Sequence, residues 1–194
     1  MQHCGTQALE TERLILRRFS LRDAEAMYTN WASDPEVTRY LTWPTHAGVD
    51  ASRAVLEGWV AAYARKIFYQ WAIVLKEYPG DPIGSIGAVN MDDDIAAVQI
   101  GYCLGRRWWH RGIMSEALGA VMDFFFDAVG FHRVACRHDP RNPHSGMVMQ
   151  KCGMKYEGTL RSADRNNQGI CDTSWYALLK EERHTAHPCE KAGE

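Results

Sequence analysis

The stretch from Ala96 to Val129 restricts the fold more than any other part of the chain. Ala96 to Leu104 reads as a strand, with Val98, Ile100, Tyr102 and Leu104 on one face. A basic loop bounded by glycines, Gly105-Arg-Arg-Trp-Trp-His-Arg-Gly112, follows at once. It feeds a helix from Ile113 to about Val129. Ile113, Ala117, Val121, Phe124, Phe125 and Ala128 form its apolar stripe, and Gly130 ends it. Strand, glycine-bounded loop and helix start are the parts of an anion cradle. Unpaired N–H groups face outward at a helix N-terminus, and the helix dipole adds positive potential. Arg106, Arg107 and Arg111 add side-chain charge, so a diphosphate suits the site better than a lone carboxylate. A surface loop with solvated arginines fits the same spacing equally well. Neither G-x-x-x-x-G-K-[ST] nor G-x-G-x-x-G occurs, which disfavours nucleoside triphosphate transfer and a dinucleotide fold.

The rest of the chain supplies short strands and helices of a mixed α/β domain. Leu14 to Leu16 reads as a strand. Ser20 and Asp23 form a capping box for a helix through about Trp31, and Asp34-Pro35 starts a further helical turn. Ala51, Val55, Trp59 and Ala62 recur at helical spacing within Asp50 to Lys66. Strands are expected over Tyr69 to Leu75, Ile83 to Val89, Arg133 to Arg137, Met154 to Arg161 and Ile170 to Leu179. A helix is expected from Pro143 to Cys152. No repeat or linker divides the chain, so residues 1–194 are read as one domain with a core from about 9 to 182 and loose termini.

Charge narrows the function classes. Lys plus Arg number 22 against 24 Asp plus Glu, for a net charge of -2. That balance excludes the broad basic footprint of nucleic-acid binding, and aromatics at 11% exclude general disorder. No window is apolar enough for a membrane span and no secretory signal is visible, so a cytoplasmic protein with reduced thiols is expected. The six cysteines form no C-x-x-C pair. The tail residues His184, His187 and Cys189 are possible metal ligands without a nearby fourth, so no metal is expected.

Several ordered motifs carry a resemblance. Ile100-Gly-Tyr-Cys-Leu104 and Trp109-His-Arg-Gly112-Ile-Met-Ser-Glu-Ala117 resemble the coenzyme A signature of the GNAT acetyltransferases. Asn142-Pro-His-Ser145, Lys151-Cys-Gly153-Met and Glu157-Gly158 resemble the second signature of that superfamily. Thr11-Glu-Arg-Leu-Ile-Leu-Arg17, Asp23-Ala24, Asp172 and Tyr176-Ala-Leu-Leu179 are similar to the branch of the ribosomal-protein alanine and serine N-acetyltransferases. The resemblance runs from about Thr11 to Leu179. It implies a mostly antiparallel central sheet flanked by helices and splayed at one parallel strand pair. It also implies acetyl-CoA as acyl donor and an amine acceptor.

The residue roles follow from the resemblance, position by position. The pyrophosphate grip falls on Trp109, Gly112 and Met114, with Arg106, His110, Arg111, Ile113 and Ser115 alongside. Trp109 and Met114 depart from the family pattern, at little cost, because main-chain N–H groups make the grip. An amide near Cys103 or Leu104 is expected to hold the thioester oxygen. Asn142 is expected on the pantetheine arm, although an N-cap reads equally well from sequence. Ser145 is expected near the sulfur; Met149 stands where many relatives carry a tyrosine acid, and Tyr102 and Tyr156 are alternative donors. Gln99 replaces a glutamate base of many relatives. The carboxylate of the ribosomal-protein branch aligns with Asp164, so the resemblance implies Asp164 as the base. From sequence a solvated turn or an ion pair with Arg165 fits it too, and Asp172 is the competing carboxylate, read as structural. Trp31, Tyr40, Trp43, Trp71 and Trp175 are candidate acceptor-pocket aromatics, with Tyr40, Trp43 and Trp175 preferred as substrate contacts. Cys103 and Cys152 read as buried small hydrophobes.

Three functions remain open at this point: a protein N-terminal acetyltransferase, an acetyltransferase for a small amine, and an acyl-CoA-binding sensor with little turnover. A ribosomal-protein acceptor favours an acidic groove, and no acidic run beside the aromatic segments announces one. A monomer or a homodimer is equally compatible with the chain.

Overall fold

The computed structural model describes residues 1–185, with side chains through Arg183. The side chain of His184, together with His187 and Cys189, lies outside the described residues. Eight strands form one sheet in the order β1-β2-β3-β4-β5-β6-β8-β7. They are β1 (Leu9–Glu10), β2 (Leu14–Arg17), β3 (Gln70–Leu75), β4 (Gly84–Asp92), β5 (Ala97–Leu104), β6 (Arg133–His138), β7 (Lys155–Asn166) and β8 (Gly169–Leu179). All neighbours pair antiparallel except β5 and β6, which run parallel. The expected mixed α/β sheet with one parallel pair is therefore present.

Strand alternation separates two cores. On one face Leu14, Leu16, Trp71, Ile73, Ile86, Val98 and Ile100 pack against α4 (Ile113–Phe124) and α5 (Pro143–Lys151). On the other, Ala72, Val74 and Cys103 meet α1 (Ala24–Met27), α2 (Pro35–Thr38) and α3 (Val49–Ala62). Gly130, at φ 90, ends the π turn Phe125–Val129 that continues α4, because only the left-handed region reverses the chain there.

Three expectations need correction. The helix expected over Asp50 to Lys66 runs from Val49 to Ala62, and its fully buried residues are Ser52 and Leu56, with Val55 and Trp59 half-buried beside them against the same core. Ser52 is tolerated inside because its Oγ meets His46 Nδ1 at 2.8 Å. The strand expected to end at Arg161 continues to Asn166, past register shifts at Tyr156/Gly158 and Leu160/Asp164. The opening segment is tied down rather than loose: Gln2 N–H donates to Val129 O at 2.9 Å, Gly5 N–H to Lys66 O at 2.7 Å, and Thr6 Oγ1 to Phe68 O at 3.0 Å.

Candidate active site

The parallel pair determines where the site lies. Pairing of β5 with β6 runs over Ala97↔Arg133, Val98↔Val134 and Gln99↔Ala135 and then stops, so Ile100 to Leu104 have no partner in β6. Gly105 N–H donates to Ile83 O at 2.9 Å, and Leu104 stands opposite Gly84. Alternation along an antiparallel ladder then turns the Leu104 N–H away from β4 and into the gap. The Leu104 carbonyl is occupied, since Trp109 Nε1–H donates to it at 2.7 Å. What the gap offers from this residue is a donor.

A groove of about 610 Å³ runs from the gap to the start of α4. Gly112 caps α4 at φ 72, a conformation that strongly favours glycine, and leaves the first N–H groups of the helix facing the groove. His110, at φ 59, is a non-glycine residue in the same region and stacks edge-on against His144, with centroids 4.7 Å apart. Backbone strain of this kind persists where surrounding structure enforces it. A β-carbon built on Gly112 meets Arg13 Nη2 and Lys151 Nζ, each at 3.6 Å, so two cations converge on the helix start. Lys151 is a groove cation that the sequence argument missed, although it sits inside a quoted motif. Glu116, one turn into α4, pairs with Arg13 Nη2 at 2.6 Å and takes up that cation's charge, which leaves Lys151 as the cation not spent on Glu116. Burial raises the Glu116 carboxyl, but hydrogen bonds from Thr11 and Arg13 outweigh this and hold it below the usual range.

A second cavity, of about 570 Å³, opens on the opposite side of β5 and shares Tyr40, Leu41, Tyr102, Cys103, Asn142 and Ser145 with the groove. Asn142 is the N-cap residue of α5, yet its side chain makes no capping bond. The N-cap position is borne out, but the side chain is not spent on the helix end, and Asn142 lines both spaces. Ser145 is engaged through its main chain, with Tyr102 Oη donating to its carbonyl at 3.1 Å. Burial raises the Tyr102 hydroxyl well above its ordinary range, so its proton stays with that bond and Tyr102 serves as a brace. Tyr156 lies away from both spaces, sharing a hydrogen bond with Thr159 at 2.8 Å.

Asp164 reaches the cavity because of the β7 irregularity. Ser162, at φ 49, donates its N–H to Asp172 Oδ1 at 2.8 Å, which pins the bulge and assigns Asp172 a structural part. Beyond it, Asp164 lines the cavity with one oxygen 2.7 Å from Arg137 Nη1. Gln99 lines the same space, as do His46, whose imidazole burial lowers its affinity for a proton, and His138.

Of the residues expected at the site, Cys103, Leu104, Trp109, His110, Arg111, Gly112, Ile113, Met114, Ser115, Asn142, Ser145, Tyr40, Trp43 and Asp164 line one or both spaces. Arg106 and Trp175 do not. Arg106 pairs with Asp34 at 3.0 Å, and Trp175 lies beneath the Arg137 guanidinium, 5.7 Å from its ring centre. Trp71 belongs to one core, and Trp31, fully buried in the other, backs the cavity. Burial pushes the Cys103 thiol up to about 11 and Cys152 up to about 12, so neither is a nucleophile near neutral pH.

Asp139 is a further cavity carboxylate. Burial raises it, but Arg141 donates at 2.6 Å and Asn166 at 2.8 Å, and the balance holds it at about 2. A carboxyl depressed on folding stabilises the native state above its unfolded value near 3.8, and that contribution fades as pH falls toward 2. Urea midpoints measured from pH 7 to pH 2 should show Asp139→Asn destabilised at neutral pH, with the gap from the parent closing toward pH 2.

Comparison with known proteins places this geometry among relatives. The model of the acetyltransferase (GNAT) domain matches residues 13–155. "Uncharacterized N-acetyltransferase p20" of Bacillus licheniformis is 30% identical over 176 residues, covering 91% of this chain and 98% of its own. The "[Ribosomal protein uS5]-alanine N-acetyltransferase" of Escherichia coli K12 is 27% identical over 157 residues, covering 77% and 79%. The crystal structure of a GNAT-family acetyltransferase from Bacillus anthracis superposes with a TM-score of 0.79 at 25% identity, over 91% of this chain and all of that one.

Proposed function

This chain belongs to the GNAT acetyltransferase family, and on that premise we propose that it carries an acetyl group from acetyl-CoA directly to a primary amine. The observation that carries this reading is the meeting of two spaces at the β5–β6 gap. One is a groove leading to a helix N-terminus and the other a cavity holding a carboxylate, with Asn142 and Ser145 on the shared wall. The groove suits coenzyme A on two counts: Asn142 offers an unpaired amide, and Gly112 opens the α4 start beside Lys151. Residues 110–115 would hold the diphosphate, and Asn142 with the open edge of β5 the pantetheine amides.

When bound, the thioester supplies an acyl carbon activated by a thiolate leaving group. The Leu104 N–H donates toward negative charge developing on the acyl oxygen, a contact of a kind worth about 10²–10³ in rate. Asp164, fixed by Arg137, takes up the proton that an ammonium must lose before it attacks. Ser145 Oγ donates a hydrogen bond toward the departing sulfur. Across the reaction a C–N bond replaces a C–S bond. The first ammonium proton passes through Asp164 to solvent, and the second, shed by the nitrogen as the amide forms, ends on the thiol. With the Cys103 thiol held protonated, the amine attacks the thioester directly rather than an acyl group carried on that cysteine.

Thiol release from acetyl-CoA, followed with a panel of primary amines and peptides, tests the reading. The expected result is release that depends on the added amine. Tight coenzyme A binding with no amine-dependent release contradicts it and assigns the chain to acyl-CoA sensing.

A further inference from the structure

Two adjacent side chains at the β7–β8 turn reach opposite walls of the acceptor cavity. Asn166 Nδ2 donates to Asp139 Oδ2 at 2.8 Å, on the β6–α5 connection. Asn167 holds the segment after α2. Its N–H donates to Leu41 O at 3.2 Å, and its Nδ2 to Thr38 O at 2.8 Å and Trp43 O at 2.7 Å. Arg141, bonded to Asp139 at 2.6 Å, sets its guanidinium 5.9 Å from the Tyr40 ring centre and completes the circuit. The connection at 139–141, the turn at 166–167 and the segment at 38–43 thus form a closed ring at the cavity.

The space behind that ring is aromatic and electrically balanced. Trp31, Trp43, Trp59, Phe68, Met27 and Ile100 supply much of its lining. Its lining holds three formal charges, Arg137, Asp139 and Asp164; Arg137 pairs with Asp164 at 2.7 Å, and Arg141, from outside the lining, neutralises Asp139 at 2.6 Å. No surplus negative charge is left to draw in a basic polypeptide. A volume of about 570 Å³ lies within the roughly 300–1,000 Å³ of pockets that bury most of a small ligand.

Resting on the acetyl-transfer reading, we propose that the acceptor is a small primary amine with an aromatic or branched apolar body, seated in this chamber. Asn167 is the positioning residue that holds segment 38–43 at the chamber's rim. A peptide N-terminus needs more room at that rim, gained at the cost of the three Asn167 bonds.

The test compares 2-phenylethylamine with a hexapeptide bearing an apolar N-terminal residue, by thiol release and by quenching of tryptophan fluorescence. For the parent protein, kcat/KM for 2-phenylethylamine should exceed that for the peptide by at least about tenfold. Asn167→Ala, and Asn167→Asp, which keeps the size but loses both side-chain donors, should narrow that ratio with the thermal midpoint little changed. The mechanism requires the change to fall mainly on KM. Equal or better use of the peptide by the parent, or a ratio indifferent to both variants, overturns the proposal. Quenching by 2-phenylethylamine without any thiol release supports the chamber assignment and contradicts acetyl transfer instead. Neither quenching nor release with 2-phenylethylamine, alongside release with the peptide, overturns the chamber assignment alone.

Discussion

Replacing Asp164 by asparagine lowers amine-dependent thiol release by roughly 10²–10⁴-fold, the range in which a positioned general base contributes. The expectation rests on three features. The carboxylate faces the acceptor cavity, Arg137 orients it at 2.7 Å, and the bulge pinned by Asp172 keeps it on that side of the hairpin. Asparagine preserves size and polarity but cannot accept the proton. Asp139 cannot take over, because its hydrogen bonds hold it at about 2 and leave it little affinity for a proton near neutrality. Affinity for acetyl-CoA should stay within about twofold, since Asp164 is not part of the groove. Ser145→Ala should cost less, because a hydroxyl assists the thiolate by a hydrogen bond and not by full proton transfer. Steady-state rates with acetyl-CoA saturating and the amine varied separate these effects.

Trp71→Ala should be the most disruptive single change in the core, at about 3–5 kcal/mol of unfolding free energy. Trp71 is fully buried. Its ring stacks on Tyr69 at 6.1 Å and meets Phe124 and Phe125 edge-on at 5.5 and 5.9 Å. Its Nε1–H also donates to Gln7 O at 2.6 Å, so one side chain anchors both α4 and the N-terminal segment to the sheet. A loss of this size is a large share of the roughly 5–15 kcal/mol that holds a domain together. Chemical denaturation followed by tyrosine and tryptophan fluorescence checks it. The urea midpoint should fall with the slope unchanged.

The chain announces the half of the site that is local in sequence. The β5–loop–α4 unit is legible because period-2 alternation gives way to a 3.6-residue stripe across a Gly-bounded loop, all within Ala97–Phe124. The second half is assembled over long separations. Lys151 meets the Gly112 corner from the far end of α5, and Asn167 bonds residues 124 to 129 positions away. No short pattern signals such contacts. The β7 extension escapes for a different reason: nearly all of Lys155–Asn166 is exposed and its register shifts twice, so no alternation marks it as a strand. Arg106 shows the converse limit. Its place in a basic loop suggests an anion ligand, but Asp34, brought beside it by the fold, takes its charge.

The central claim is that coenzyme A enters between β5 and β6 and meets the acceptor at the wall formed by Tyr102, Cys103, Asn142 and Ser145. A crystal structure with coenzyme A bound tests it most directly. The account predicts the diphosphate against the main-chain N–H groups of residues 110–115, the pantetheine arm beside Asn142, and the sulfur within reach of Ser145 and the Leu104 N–H. Coenzyme A found with its diphosphate away from the α4 start, or its sulfur outside the β5–β6 gap, contradicts it.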